Sequence, residues 1–390
     1  MRTPTKPTAG SAASATTPQA AKPADFGQIV LVFQGGGALG AYQAGVYEAL
    51  HDAGIEPDWV IGTSIGAINA AIIAGNQPAD RMDRLRDFWS LVRQNPMAQA
   101  LGNLPVFGPM FANLVTMTNG LPNFFTPNLS AFGGNHVSLG AEAAGYYSTQ
   151  ALSKTLSGLI DFDCMSNGPV RLTVGAANVR TGDMRYFDSR DEALDLRHVM
   201  ASGALPPAFP AVRIDGDLYW DGGILSNTPV EVVFDDFPRR NSLVFAVHIW
   251  NPSGPEPVSI NQVLNRQKDI QYASRAVSHI ARQRQIHRLR HVVAELAALI
   301  PEAMRDTEAT KILRAHGCLT RMHVVRLLAP GIPGETHSKD IDFSPAGVQS
   351  RWESGRADTI RMLAASPWLG EHDPLDGFIL HEVGYGGGAQ

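Results

Sequence analysis

Apolar and polar residues along the chain alternate between strand-like runs and helix-like stretches. Gln28-Ile29-Val30-Leu31-Val32-Phe33 is an apolar run of strand length that stops at Gln34 and a row of glycines. A helix is predicted over 41–53, then a short strand, Trp59–Gly62. After Ser64, the stretch Ile65–Ala74 is so rich in Ala and Ile that it reads as a buried helix. Further strands are predicted at 170–176, 218–220 and 243–250, with helical segments between them. Continuous apolar strands alternating with helices predict a mostly parallel central sheet flanked by helices, an α/β fold. The second half changes character. Residues 261–300 read as one long helical region and 323–328 as a strand. Ser344-Pro345 opens a helix to about residue 365, with serine as N-cap and proline at the first helical position. No internal repeat is evident.

Composition alters this picture mainly at the start. Of residues 1–25, 19 are Ala, Thr, Pro, Ser or Gly, and no apolar stretch follows Arg2, Lys6 and Lys22. A disordered leader is expected there rather than a signal peptide. The organisation expected is therefore a leader over 1–25, a folded α/β unit over 26–250 and a mainly helical C-terminal extension over 251–390. The 390 residues are 44% hydrophobic and 18% charged, enough for a sizeable core. A formal net charge of −5, from 32 Lys+Arg against 37 Asp+Glu, argues against a nucleic-acid partner. Cys164 and Cys318 alone make neither a disulfide framework nor a cysteine zinc site. No window holds the roughly 18 apolar residues of a membrane span. A cytoplasmic chain is expected, meeting a membrane at most from its surface.

The chemistry concentrates in three turns. Gln34-Gly35-Gly36-Gly37-Ala38-Leu39-Gly40 joins a strand to a helix, and its outward amides can stabilise a phosphate or a developing oxyanion. Gly35, Gly37 and Gly40 also match a dinucleotide loop. That reading needs an acid at the end of the second strand, whereas Glu56 and Asp58 precede it. Gly62-Thr63-Ser64-Ile65-Gly66 is G-x-S-x-G between a short strand and an Ala-rich helix, the setting of a nucleophile elbow. A plain helix cap is the bland reading of Ser64, and the anion-type turn upstream weighs against it. Twelve histidines offer no motif that marks a base. Tyr219-Trp220-Asp221-Gly222-Gly223 does, because an aspartate at a strand end can take the proton directly from within roughly 2.6–3.2 Å. The bland reading of Asp-Gly-Gly is a turn.

Other signals are weaker. The segment 98–132 is apolar yet broken by Gly, Pro and Asn, with Leu101, Leu104, Val106, Phe107, Met110, Phe111, Leu114, Phe124 and Phe125. It reads equally as a lid or acyl-chain wall and as a capping subdomain. In 261–300, Val263, Ile270, Val277, Ile280, Leu289 and Leu296 are the predicted apolar stripe, beside Arg266, Lys268, Arg275, Arg282, Arg284, Arg288 and Arg290. A solvated basic face is the first reading and transient docking on an anionic membrane the second. His287 and His291 fall on one helix face near His279. No carboxylate completes a metal set with them, so no metal site is expected.

Together the glycine loop, the Ser64 turn and the Asp221 turn resemble the patatin-like phospholipase family. Its pattern is a glycine-rich oxyanion loop, a G-x-S-x-G serine and a D-G-G/A aspartate, acting as a Ser-Asp dyad without histidine. Ala201-Ser202-Gly203-Ala204-Leu205-Pro206-Pro207-Ala208-Phe209-Pro210 and Gly222-Gly223-Ile224-Leu225-Ser226-Asn227-Thr228-Pro229 are also similar to the family's stretches. The resemblance covers about 29–250 and departs at Gln34, where the family often has Asp, a change that removes no amide. It implies a three-layer lipid acyl hydrolase domain over 26–250 that uses neither metal nor organic cofactor. By the same resemblance Ser64 is the nucleophile and Asp221 the proton acceptor. Gly35, Gly36, Gly37, Ala38 and Gly40 form the oxyanion loop, with the amides of Gly36, Gly37 and Ala38 as donors. Gly62, Thr63, Ile65 and Gly66 shape the elbow, and Gly222 and Gly223 support Asp221. The implied substrate is a lipid ester. An esterase for a non-lipid ester, a thioester or a hydroxyalkanoate oligomer stays open, as does a lipid-binding protein with vestigial chemistry. The extension resembles one seen in some bacterial members and carries no implied role.

Overall fold

The computed structural model of the chain describes residues 26–94, 115–133, 138–332, 335–373 and 375–382. The expected leader lies outside the described residues, as does 98–114 of the apolar segment, with Leu101, Leu104, Val106, Phe107, Met110, Phe111 and Leu114. In chain order the strands are β1 (Gln28–Phe33), β2 (Trp59–Gly62), β3 (Thr126–Pro127), β4 (Tyr147–Ser148), β5 (Arg171–Asn178), β6 (Met184–Asp188), β7 (Val212–Ile214), β8 (Asp217–Asp221), β9 (Ser242–His248), β10 (Met322–Leu328) and β11 (Phe378–Glu382). β3 and β4 pair only with each other; the rest form one sheet, ordered β11-β10-β9-β1-β2-β5-β8-β7, with β6 also on β5. From β11 to β5 every pairing is parallel.

The apolar runs are continuous because both faces of the sheet are covered. Leu31 and Phe33 of β1 join Val60, Phe245 and Val325 in one core cluster, with residues of α1 (Ala41–Asp52), α2 (Ile65–Ala74) and α3 (Pro78–Leu91). Val30 and Val32, pointing the other way, join Ile61, Val244 and Val324 in a second cluster with Val233, Phe234 and Ile280. The period of two along each strand thus feeds two cores, giving three layers.

The sheet runs straight across residue 251. β9 pairs with β1 on one side and with β10 on the other, so the extension supplies the strands β10 and β11. Its helix Pro345–Ala365, capped by the Ser344 hydroxyl as the sequence predicts, lies along α1. There Asp358 accepts from the Tyr42 hydroxyl at 2.8 Å and Glu48 accepts from Trp352 Nε1 at 2.7 Å.

The long helix forms at Ile260–Ala298, but not with the predicted stripe inward. Val263, Ile270, Leu289 and Leu296 are about half exposed or more, and only Ile280 of that set is buried among the described residues. The buried face carries Asp269, Ala273, Ile280, His287 and His291, spaced by four and seven. Partners decided the face: Lys339 reaches Asp269 Oδ1 at 2.6 Å, and Phe234 stands edge-on to His287.

One detail of strand pairing positions the site. β6 occupies one edge of β5 from Thr173 to Ala177, so β2 and β8 must share the opposite edge. β2 ends where Gly62 faces Val174, and β8 takes over where Asp221 faces Ala176. Asp221 therefore sits two register steps beyond the end of β2, level with the turn that carries Ser64.

Candidate active site

Ser64 sits between β2 and α2 with φ 57° and ψ −126°, a left-handed conformation that costs a non-glycine residue about 1–3 kcal/mol. The turn is sharp because the chain reverses against its own start: a Cβ on Gly62 would lie 2.3 Å from the Gly66 carbonyl. The strained peptide is held from outside. Ser64 N–H donates to both the carbonyl and the hydroxyl of Ser202 at 3.1 Å, and Ser202 Oγ donates to the Gly175 carbonyl at 2.7 Å. Thr63 is buried and its hydroxyl donates to the Ser226 carbonyl at 3.4 Å, while Ile65 packs against Gly40.

Ser64 and Asp221 line the same cavity, and the Ser64 hydroxyl lies near enough to the Asp221 carboxylate to favour its ionised form. Asp221 is 2% exposed and accepts from Gly223 N–H at 2.7 Å. Burial pushes its pKa up to about 6, against the pull of the nearby Ser64 hydroxyl and of the Gly223 N–H. Gly222 packs on the Gly175 carbonyl, fixing β8 to β5.

The glycine loop crosses beside both residues. Its two ends are committed: Gly35 N–H donates to the Asn227 carbonyl at 3.1 Å, and the Gly40 carbonyl accepts from Asn69 Nδ2 at 3.0 Å. Leu39 N–H closes the turn on the Gly36 carbonyl at 3.2 Å. What the turn has left to offer is the amides of Gly36, Gly37 and Ala38. Gln34, the departure from the family pattern, is fully buried and braces the loop. Its Oε1 accepts from the amides of Ile249 at 2.6 Å and Trp250 at 3.0 Å, and its Nε2 donates to Thr228 Oγ1 at 2.7 Å.

Ser64, Asp221, Gly36 and Gly37 open on one cavity of about 290 Å³. Its far wall is aromatic. Phe124, Phe125, Tyr147 and Phe209 interlock with ring centroids 4.8–6.5 Å apart, and Phe343 lies 5.6 Å from Phe124. Of the described part of the apolar segment, Thr116, Met117, Phe124 and Phe125 line the cavity. No histidine among the described residues lines the cavity.

Sequence reasoning missed two groups. Tyr272, Asp340, Ile341 and Phe343, all from the extension, complete the cavity. The Asp340 carbonyl comes so close to Gly37, at φ 55°, that a Cβ there would stand 2.2 Å away. Lys268 holds Asp340 at 2.8 Å and the buried Lys339–Asp269 pair anchors the same turn. Ser202 was part of a noted stretch, but its grip on Ser64 has no signature in spacing. His287 and His291 do share the buried helix face, while His279 is turned towards Glu231 at 3.6 Å. The metal-competent grouping among the described residues is a different one, His323, His372 and His381. No helix among them is long and apolar enough to cross a membrane.

A family model described as patatin-like phospholipase matches residues 31–234, and a second, described as patatin phospholipase, matches 270–375. A protein named lysophospholipase nte1 from Aspergillus terreus is 57% identical over 261 residues, covering 61% of this chain and 14% of that protein. Patatin-like phospholipase domain-containing protein 6 of Homo sapiens is 42% identical over 62 residues, 16% of this chain and 4% of that protein. The chain thus spans 14% or less of the length of these relatives. Among solved structures, VipD from Legionella pneumophila aligns over 92% of this chain and 72% of its own, with a TM-score of 0.37 and 16% identity.

Proposed function

The chain belongs to the patatin-like phospholipase family, a family of ester-bond hydrolases, and from that premise we propose that it deacylates lipid esters through a Ser64–Asp221 dyad. Asp221 accepts the proton as Ser64 Oγ attacks the ester carbonyl. The amides of Gly36, Gly37 and Ala38 receive the tetrahedral oxyanion, each donor lowering the barrier by about 3 kcal/mol. Asp221 returns the proton to the departing alcohol, and water, deprotonated by the same carboxylate, releases the acyl group. The observation that carries this reading is Ser64 beside the buried Asp221 carboxylate on one cavity, with no histidine among the described residues that line it.

Support for a lipid rather than a small ester comes from the aromatic wall, since a buried acyl chain gains about 0.8 kcal/mol per methylene. The exposed Val263, Ile270, Leu289 and Leu296, beside Arg282, Arg284 and Arg288, form the face that meets a lipid surface. A fluorophosphonate probe is the direct test. Labelling of the wild type and not of Ser64→Ala is expected; an unlabelled wild type would return the chain to the binding-protein reading.

A further inference from the structure

Three imidazoles meet at the far edge of the sheet. His323 lies on β10 and His381 on β11, where the register pairs His323 with Ile379 and Val325 with His381. Two steps apart in a parallel pair, the two side chains point to the same face. His372, in the loop that leads into β11, folds over them. Its ring is 5.1 Å from that of His323 and 5.3 Å from that of His381, tilted 65° to each.

Two of the three rings are hydrogen-bonded to each other, and the third is left with an orphaned nitrogen. His323 Nδ1 and His381 Nε2 are 3.0 Å apart with nearly parallel rings, so one proton serves the two. His372 Nε2 is buried and meets no partner among the described residues. One ligating nitrogen from each ring lies within 4.8 Å of the others.

We propose that His323, His372 and His381 bind one divalent transition-metal ion of the zinc class, with the remaining coordination position left to water. An all-imidazole set suits zinc and its neighbours rather than magnesium or calcium. Zinc–nitrogen bonds of about 2.0–2.1 Å in tetrahedral array put ligand nitrogens about 3.3–3.4 Å apart, close to the 3.0 Å His323–His381 spacing; the ion replaces their shared proton as the two rings turn towards a common centre. His372, half-buried on a loop, closes the wider gap by a movement of about 1–1.5 Å to reach that spacing. The ion satisfies the orphaned nitrogen and pins the loop and the last strand to β10. It stands outside the ester chemistry: His323 is level with Ile29, four residues and so about 13 Å before the end of β1 at the glycine loop.

The test uses the full chain, stripped with a chelator and dialysed against zinc. One equivalent of bound zinc by elemental analysis is expected, with Tm raised by several degrees and p-nitrophenyl ester turnover unchanged between stripped and loaded protein. His372→Ala should lose both the equivalent and the Tm rise, whereas His316→Ala, an exposed control, should keep them. Cobalt loading of the wild type gives an independent readout, the intense visible bands of tetrahedral Co²⁺. Less than half an equivalent bound, the same equivalent in His372→Ala, or weak octahedral cobalt bands would each overturn the site. Turnover lost on stripping and restored by zinc would overturn its separation from the ester chemistry.

Discussion

The two ends of the cavity are built in opposite ways. The polar end is made of backbone: a loop of glycines, a strained serine peptide and an aspartate fixed by strand register, each held by hydrogen bonds near 3 Å. The apolar end is made of side chains drawn from four separated stretches, Phe124 and Phe125, Tyr147, Phe209 and Phe343. Proton transfer and oxyanion binding tolerate errors of a fraction of an ångström, and so demand fixed main chain. Holding an acyl chain demands only bulk and dryness. Substitutions at the two ends should therefore differ in kind.

The largest effects belong to the polar end. Ser64→Ala and Asp221→Asn should each lower kcat/KM by about 10³-fold or more, equally for acetate and long-chain p-nitrophenyl esters. Near wild-type turnover in Asp221→Asn would sink the dyad. In the wild type, kcat/KM should rise with pH to a plateau above an apparent pKa near 6, because only ionised Asp221 accepts the proton. Stability should run the other way. The folded-state pKa lies above the ordinary carboxylate value of 3.8, so the wild type loses stability as pH climbs from about 4 through 6. Asp221→Asn escapes that loss and should be the more stable protein at pH 8, by up to about 3 kcal/mol, with the gap closing below pH 4. A gap independent of pH would mean that the carboxylate is not ionising in this window.

Next in size is the joint between the ends. Lys339→Met leaves Asp269 buried without its cation and should cost about 3–5 kcal/mol in a denaturant titration. A loss below 1 kcal/mol would show the turn over Gly37 to be held by other contacts. At the apolar end, Phe124→Ser with Phe125→Ser should cut long-chain turnover about tenfold more than acetate turnover, as removed apolar wall implies. Equal losses would make the pair structural cover only. The smallest effect is expected on the long helix: Leu289→Ser with Leu296→Ser should weaken co-sedimentation with anionic vesicles about threefold and leave soluble-ester turnover alone. Unchanged sedimentation would remove that face from the lipid contact.

The same division explains what was legible in the sequence. β1, β2 and the elbow could be read because buried parallel strands are unbroken apolar runs and because a sharp turn needs its glycines at fixed offsets. β6, β7 and β11 were missed: three to five residues long and mixed with charge, as in Met184-Arg185-Tyr186-Phe187-Asp188, they carry too few positions for a period to show. The long helix was found but its inward face was not, since pairing of Asp269 with Lys339 outweighed the apolar count. The aromatic wall and the three histidines join residues tens to hundreds of positions apart, and only strand order brings them together.

The shared edge of β5 has a consequence for how such an enzyme can be altered. Ser64 and Asp221 are aligned by a single strand that both of their own strands lean on, and of the chain between them β5 and the turn with Ser202 and Ala204 carry that alignment. Segment 115–133 lines the cavity without taking part in that alignment, so its side chains can change while Ser64 and Asp221 keep their spacing. For selection in nature or at the bench, substrate range and reactivity are separately heritable traits.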